Sequence, residues 1–261
     1  MKFNSEEELT KWAVDTTNLW LFLDYDGTLS GFAPTPNQLY PNPKIIDLVQ
    51  RLSQRKNTRV TIISGRRLKD VRTLLPISGL FLGGAYGIEL LTPSGETIHQ
   101  VEYDDIRPLL ETIKPQWERL IFKRKGFFLE DKGWTLALHA RFANDIEADE
   151  VLASAGQLLD LQKITRHFRI LGGHKFLEIA PLLANKRKTI EYLIKQFPLP
   201  DTKYIYIGDD DKDEEAFPVI RAVGGVTIKV KQSSQLSQET TADYIFASPQ
   251  ITLQWLDGLV K

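Results

Sequence analysis

Apolar residues follow one another along this chain in two distinct arrangements. Runs of apolar and β-branched residues, as at 19–23 and 59–65, predict strands that are buried on both faces. Apolar residues at helical spacing, as at Ile45, Leu48 and Leu52, predict an amphipathic helix with one face toward a core. The order in which these two arrangements alternate therefore indicates the class of fold.

The two arrangements alternate along residues 1–106 and again along residues 183–261. Strands are predicted at 19–24, 59–65, 79–84, 203–208, 225–230 and 242–248, and helices at 44–56, 68–75 and 185–197. A strand that is followed by a helix and then by another strand is typical of a parallel sheet covered on both faces. We therefore predict an α/β fold with a Rossmann-like parallel-sheet core.

Residues 107–182 follow a different pattern, in which helices and antiparallel hairpins are mixed. The segment 126–142 predicts two strands joined at Asp131–Gly133, and 164–181 predicts a hairpin that turns at Gly172–Gly173. The helices of this part are predicted at 107–122 and 145–161. The sequence thus predicts an inserted α+β domain at 107–182, between a first core part at 1–106 and a second at 183–261.

Composition and charge narrow the classes of partner. The 261 residues carry a formal net charge of −1, which favours neither nucleic acid nor an anionic membrane as a general partner. No apolar run approaches the ~20 residues of a membrane helix. Cysteine is absent, which excludes disulfides and is consistent with a cytoplasmic location. We expect a cytoplasmic monomer with a small-molecule partner.

Residues that can carry chemistry follow several of the predicted core strands. Asp24 and Asp26 come directly after the first buried strand, and Ser64 follows the second. The acidic segment GDDDKD at 208–213 follows a later strand, and Lys186 begins a helix after the inserted domain. Because ligands of open α/β sheets bind beyond the carboxyl ends of the strands, we expect these side chains to meet at one edge.

Each of these features alone has an ordinary structural explanation. Asp is common at helix N-caps and turns, and Ser64 could be a capping residue. Lys186 could lie on a solvated helix face, and the acids at 209–215 could favour a helix N-terminus. The combination of all four is far more specific than any one of them. Clustered carboxylates repel one another, and Mg²⁺ removes that repulsion while binding phosphate oxygens. The pattern therefore favours a site for Mg²⁺ and a phosphate.

Four segments carry a resemblance to a known superfamily. DYDGTL at 24–29, Ser64 in ISGR, Lys186 and GDDDKD at 208–213 resemble, in order, the four motifs of the haloacid dehalogenase superfamily of phosphatases. The inserted domain is similar to the α/β cap of its sugar-phosphatase branch. Four longer segments further resemble the trehalose-6-phosphate phosphatase family: GGAYGIEL (83–90), GFFLEDKGWTLALHAR (126–141), HKFLEIAP (174–181) and GDDDKDEEAF (208–217).

The resemblance implies a role for each core residue. Asp24 would be the nucleophile that forms an aspartyl-phosphate, and Asp26 the general acid and base. Ser64 and Lys186 would grip the phosphoryl oxygens. Mg²⁺ would be held by the Asp24 carboxylate, by Asp209 and by the backbone carbonyl of Asp26.

Two further acids, Asp210 and Asp213, would lie in the water shell of the ion or steady the lysine. Substrate contacts are implied for Arg66, Glu130, Lys132, Arg141 and Glu178, with His139 as a weaker candidate. For Lys132, a solvated lysine in a hairpin turn is the ordinary alternative. The sequence departs from the usual family pattern at Tyr86, Ala180 and Lys212, where His, Arg and Thr are expected.

These observations lead to one main hypothesis. The chain would be a Mg²⁺-dependent phosphatase that hydrolyses a sugar phosphate, with trehalose 6-phosphate as the first candidate. The alternatives are another glycosyl phosphate, such as glucosylglycerol or mannosylglycerate phosphate, or a sugar-phosphate sensor without catalysis. A dinucleotide-binding protein is disfavoured because no Gly-x-Gly-x-x-Gly follows a predicted strand.

Overall fold

The computed structural model describes residues 3, 5–31, 38, 40–159, 167–173, 175–231 and 239–260. Contacts between residues divide the chain into two compact units. The first unit comprises Met1–Ile98 and Asn185–Lys261, and the second comprises His99–Ala184. Parts of the hairpin predicted at 164–181, namely 164–166 and residue 174, lie outside the described residues.

Helices and strands of the described residues are numbered here in chain order. The strands are β1 (Asn18–Leu23), β2 (Thr58–Ile63), β3 (Phe81–Gly84), β4 (Glu89–Leu91), β5 (Thr97–His99), β6 (Phe128–Asp131), β7 (Leu136–His139), β8 (Phe168–Gly173), β9 (Phe176–Pro181), β10 (Thr202–Gly208), β11 (Val226–Val230) and β12 (Tyr244–Phe246). The helices are α1 (Glu6–Val14), α2 (Pro43–Gln54), α3 (Leu68–Leu74), α4 (Tyr103–Ile121), α5 (Asp145–Gln157), α6 (Lys186–Gln196), α7 (Asp211–Glu214), α8 (Phe217–Ala222) and α9 (Pro249–Gly258).

The larger sheet has the strand order β12-β11-β10-β1-β2-β3-β4-β5. Strands β12 to β3 pair in parallel, and β4 pairs antiparallel to β3. Strand β1 lies between β10 and β2, which places two strands distant in sequence side by side. The predicted α/β fold with a parallel-sheet core is confirmed.

Strand β1 shows why this sheet is covered on both faces. Leu19, Leu21 and Leu23 pack into one apolar cluster, whereas Trp20 and Phe22 pack into another. Because successive side chains of a strand point to opposite faces, an apolar run without polar breaks requires a layer on each side. Burying each such side chain stabilises the fold by roughly 1.5–3 kcal/mol.

The smaller sheet, in the second unit, is antiparallel with the order β6-β7-β9-β8. One face packs Leu136, Leu138 and Ile179 against apolar residues of α4 such as Trp117. The opposite face carries charged positions in register, since Ala137 lies opposite both Glu130 and Glu178. One face therefore forms a core while the other holds polar chemistry.

Helix α4 begins at Tyr103, so the predicted start at 107 is wrong. Pro108 and Pro115 lie inside this helix. Proline ordinarily ends or kinks a helix, and both prolines lie beyond the first turn of α4, where each removes one backbone hydrogen bond of the helix. Among the described helices, none combines the length and the apolar character that crossing a bilayer requires.

Candidate active site

Strands β1 and β10 bring two aspartates together at the carboxyl edge of the larger sheet. Leu23 lies opposite Ile207, and the Asp24 N–H donates to the Ile207 carbonyl at 3.0 Å, which extends the ladder by one residue. Asp209 follows the last residue of β10, Gly208. Parallel pairing thus places Asp24 beside Asp209 although they are far apart in sequence.

Lys186 is buried between two carboxylates. Its Nζ donates to Asp24 Oδ1 at 2.7 Å and to Asp213 Oδ1 at 2.5 Å. Lys186 is 2% exposed, and Asn185, the N-cap of α6, fixes the start of its helix. Burial opposes the charge of Lys186, but the nearby Asp213 and Asp24 outweigh it and raise its pKa well above the usual range. The lysine therefore stays an ammonium.

Asp213 has its hydrogen-bonding capacity taken up within the protein. Besides Lys186, its Oδ1 accepts the Tyr206 hydroxyl at 2.5 Å. Its Oδ2 accepts the N–H groups of Asp209 and Asp210, at 2.9 and 3.0 Å. With four hydrogen-bond donors on its carboxylate, Asp213 fixes the conformation of the acidic loop.

Asp210 forms the N-cap of α7, where its side chain accepts the N–H groups of Lys212 and Asp213. Burial disfavours its charge, but the charges of Lys186 and Lys212 and the hydrogen bonds with Asp213 overcome that effect and lower the pKa of Asp210 to about 2. Asp210 and Asp213 therefore shape the loop that presents Asp209, and both remain near Lys186.

Two buried carboxylate oxygens have no hydrogen-bond partner among the described residues: Asp24 Oδ2 and Asp209 Oδ2. Burial raises the pKa of Asp24 to about 8 and that of Asp209 to about 10, with neighbouring carboxylates adding to the effect. One oxygen from each of Asp24, Asp209 and Asp213 lies within 4.8 Å of the others. Unpartnered buried oxygens on carboxyl groups that cannot all ionise without a counter-charge fit a hard divalent cation.

The turn after β1 depends on glycine. Gly27 has a φ of 85°, and a Cβ there would overlap the Asp209 carboxylate. Its neighbour Asp26 points its carboxylate at Arg66, whose Nε and a terminal nitrogen donate at 2.6 and 2.7 Å. The sequence suggested a substrate contact for Arg66, and the structure places its guanidinium on Asp26.

Ser64 follows β2 at the same edge of the sheet and is 1% exposed. Its N–H donates to the Gly83 carbonyl at 2.9 Å, and its Oγ accepts the Arg66 N–H at 3.1 Å. The hydroxyl therefore makes the local capping contact that the sequence left open as an alternative. That contact leaves the hydroxyl proton available to a second group.

The predicted residues of the second unit form a separate polar group on the smaller sheet. Lys132 Nζ donates to Glu178 Oε1 at 2.9 Å, and the Thr135 hydroxyl donates to the same oxygen. Glu178 is fully buried and Lys132 is 8% exposed, so Lys132 is not a solvated turn residue. The ordinary alternative for Lys132 is wrong.

Glu130 Oε2 lies 3.0 Å from His139 Nε2. The imidazole is stacked on Phe128, with ring centroids 4.3 Å apart and planes 9° apart. Arg141 lies exposed in the turn after β7.

Sequence patterns did not identify two contributors to the site. Tyr206 lies in the apolar run of β10, where the pattern predicts a core residue, yet its hydroxyl donates a hydrogen bond to Asp213. Thr189 is fully buried on α6 and donates to the Tyr86 carbonyl at 2.8 Å. The local signal in both cases was a hydroxyl group at a position where the pattern predicts burial, since a buried hydroxyl needs a hydrogen-bond partner.

Comparison with known proteins relates the chain to one family of phosphatases. A family model described as trehalose-phosphatase matches residues 22–250. A probable trehalose-phosphate phosphatase of Sinorhizobium fredii is 29% identical over 227 residues, which cover 86% of this chain and 82% of that protein. Probable trehalose-phosphate phosphatase H of Arabidopsis thaliana is 28% identical over 257 residues, which cover 92% of this chain and 71% of that protein.

Solved structures share the fold. The C-terminal domain of Candida albicans trehalose-6-phosphate phosphatase superposes with a TM-score of 0.85, covering 99% of this chain and 97% of that one. The two are 19% identical in sequence, so this similarity speaks for the fold alone.

Proposed function

The chain belongs to the trehalose-phosphatase family, and from this we propose that it hydrolyses trehalose 6-phosphate to trehalose and phosphate. One observation supports the proposal above all others. Asp24, Asp209 and Lys186 converge at the sheet edge, with one unpartnered oxygen on each aspartate. An ammonium and two such carboxylates are the groups that phosphoryl transfer through a covalent intermediate needs.

We propose that Asp24 attacks the phosphorus. A bond forms between one Asp24 carboxylate oxygen and phosphorus while the bond from phosphorus to the sugar oxygen breaks. The leaving oxygen takes a proton from Asp26, which lies two residues further on the same turn. Water then attacks the phosphorus of the aspartyl-phosphate, Asp26 accepts its proton, and Asp24 is released with phosphate.

Charge neutralisation falls to the groups around Asp24. Lys186 would hold phosphoryl oxygens by its ammonium, and Ser64 by its hydroxyl, since both lie at the carboxyl edge of the sheet. Asp24, Asp209 and the backbone carbonyl of Asp26 would hold Mg²⁺. The ion would supply positive charge that offsets the buried carboxylates and the incoming phosphate.

We further infer that the polar group of the second unit contacts the sugar. Glu130 offers a carboxylate acceptor and Lys132 an ammonium donor, which suit a ligand rich in hydroxyl groups, and the fully buried Glu178 would act on the sugar through Lys132. Because Lys132 and Glu178 already hold each other in place, little side-chain entropy is lost when a sugar binds. Arg141 is retained as a candidate contact at an exposed position.

A panel of phosphate-release assays tests the substrate. The purified chain with Mg²⁺ is offered trehalose 6-phosphate, glucosylglycerol phosphate, mannosylglycerate phosphate and glucose 6-phosphate at equal concentrations. The proposal expects the highest kcat/KM on trehalose 6-phosphate. An equal or higher kcat/KM on another glycosyl phosphate would contradict trehalose 6-phosphate as the preferred substrate. Binding of these compounds without phosphate release from any of them would indicate a sensor.

A further inference from the structure

The turn Ala85–Gly87, which follows β3, has an unusual backbone. Ala85 and Tyr86 are consecutive non-glycine residues with positive φ angles of 48° and 59°. L-residues rarely adopt this region, and such conformations persist where surrounding contacts enforce them, often beside functional sites. The contacts of Tyr86 therefore indicate what the turn is built to hold.

On one side the turn is fixed to the loop that carries Ser64 and Arg66. The Tyr86 N–H donates to the Ser64 carbonyl at 2.9 Å, and the Ala85 N–H donates to the Arg66 carbonyl at 2.7 Å. The Tyr86 ring lies directly on Gly65, since a Cβ there would be 2.9 Å from three atoms of the tyrosine. Backbone and ring together fix the position of this loop.

On its other side the turn is fixed to the helix that begins with Lys186. Thr189, one helical turn further along α6, donates from its hydroxyl to the Tyr86 carbonyl at 2.8 Å. The neighbouring Gly87 has a φ of 98°, and a Cβ there would overlap the Thr189 side chain. Tyr86 thus connects the hydroxyl side of the candidate site to its ammonium side through direct contacts.

We propose that Tyr86 is a positioning residue that sets the spacing between Ser64 and Lys186. This inference rests on the proposed function, in which those two side chains hold the phosphoryl group. Tyr86 acts through its neighbours: its ring supports Gly65, and its carbonyl anchors Thr189. Moving either contact changes the geometry offered to a phosphate, because a tetrahedral anion is held well only by donors at fixed distances.

The first test compares two tyrosine truncations. Tyr86→Ala removes the ring from Gly65, whereas Tyr204→Ala removes a ring of similar exposure, 8% against 7%, from an apolar cluster of the same unit. The Mg²⁺-loaded proteins are titrated with inorganic phosphate by calorimetry, and the Tm of each is recorded. We expect Tyr86→Ala to weaken phosphate binding at least tenfold, and Tyr204→Ala to lower the Tm without changing phosphate binding.

Equal effects of the two truncations on phosphate binding would overturn the proposal, as would wild-type binding by Tyr86→Ala. Tyr86→Phe keeps the ring and is expected to stay within threefold of the wild type. Failure of the proposed function is recognised separately, since the wild type would then release no phosphate from trehalose 6-phosphate while the difference between the truncations persists.

A second test reaches the same contact from the other side. Gly65→Ala places a methyl group against the Tyr86 ring and should weaken phosphate binding with the ring present. In the double variant Gly65→Ala/Tyr86→Ala the methyl group has room, so phosphate should bind no more weakly than to Tyr86→Ala alone. Losses that simply add would show that the two residues act independently and would refute the proposal. Gly65→Ala also serves if Tyr86→Ala does not fold.

Discussion

The guanidinium of Arg66 donates to both carboxylate oxygens of Asp26, at 2.6 and 2.7 Å. The two side chains are 13% and 21% exposed, so this bidentate pair is largely shielded from water. Both oxygens of the Asp26 carboxylate are therefore held by charged hydrogen bonds from Arg66. In the proposed reaction Asp26 must turn away from Arg66 before its carboxyl group can reach the leaving oxygen.

Replacing Asp26 should affect substrates according to their leaving groups. With Asp26→Ala, we expect kcat/KM on trehalose 6-phosphate to fall roughly 100-fold or more, because an alkoxide leaves poorly without a proton. Hydrolysis of p-nitrophenyl phosphate should fall much less, because nitrophenolate needs no proton to leave. Steady-state kinetics on both substrates measure the difference. Equal losses would remove the acid role from Asp26.

Replacing the nucleophile should prevent the covalent intermediate. Asp24→Asn is expected to lower kcat by roughly a thousandfold or more, because an amide does not attack phosphorus. When the substrate carries a radiolabel in its phosphate and the reaction is quenched in acid, the wild-type protein should retain the label and the variant should not. Asp47→Asn, at a side chain that is 67% exposed on α2, is the matched control and should retain full activity. Labelling of Asp24→Asn would place the nucleophile elsewhere.

Asp209→Asn should make the metal-free protein more stable. Burial raises the pKa of Asp209 to about 10, so the folded protein without metal loses stability as pH rises from about 4 toward that value. The amide is uncharged without taking up a proton on folding, so the Tm of the variant in EDTA should exceed that of the wild type by a few degrees at pH 8.

Addition of Mg²⁺ should reverse the order of the two Tm values, so that the wild type becomes more stable than Asp209→Asn. The wild type should gain Tm with increasing Mg²⁺, because an ion that binds only the folded state stabilises it, whereas Asp209→Asn should gain little. Thermal scans with EDTA and across a Mg²⁺ series measure both effects. Identical Mg²⁺ responses would exclude Asp209 as a ligand.

Asp131 should make the stability of the second unit sensitive to acid. Hydrogen bonds from Arg107, at 2.7 and 2.8 Å, hold the pKa of Asp131 well below its usual range, and Lys114 contributes at 3.0 Å. A lowered pKa adds stability that is complete above the ordinary value near 4 and is lost as pH falls below it. Asp131→Asn should therefore unfold at lower urea than the wild type at pH 7.

The difference in urea midpoint between the wild type and Asp131→Asn should shrink at pH 3, where the Asp131 carboxylate begins to lose its stabilising effect. Asp149→Asn, at an exposed position on α5, is the control and should match the wild type throughout. Urea denaturation at pH 7, 5 and 3 measures the trend. A difference that is constant with pH would show that the charge of Asp131 does not stabilise the unit.

Much of the fold and part of the site followed from the sequence because the signals were local. Asp24 and Asp209 each end an apolar strand, and parallel strands in one sheet place such ends on one edge. Contacts made through long-range packing left no such signal. The bond between Arg66 and Asp26 and the hydroxyl of Tyr206 on Asp213 join elements whose distance only the folded chain defines.

The position of β1 between β2 and β10 has a consequence for how the chain is made. During synthesis β2 emerges soon after β1, but β10, at Thr202–Gly208, emerges only after all of His99–Ala184 has left the ribosome. The second unit is contiguous and can collapse on its own during that interval. Meanwhile the backbone edge of β1 that later pairs with β10 has no partner strand. The unpaired edge of β1 thus exposes the nascent chain to aggregation until β10 has been synthesised.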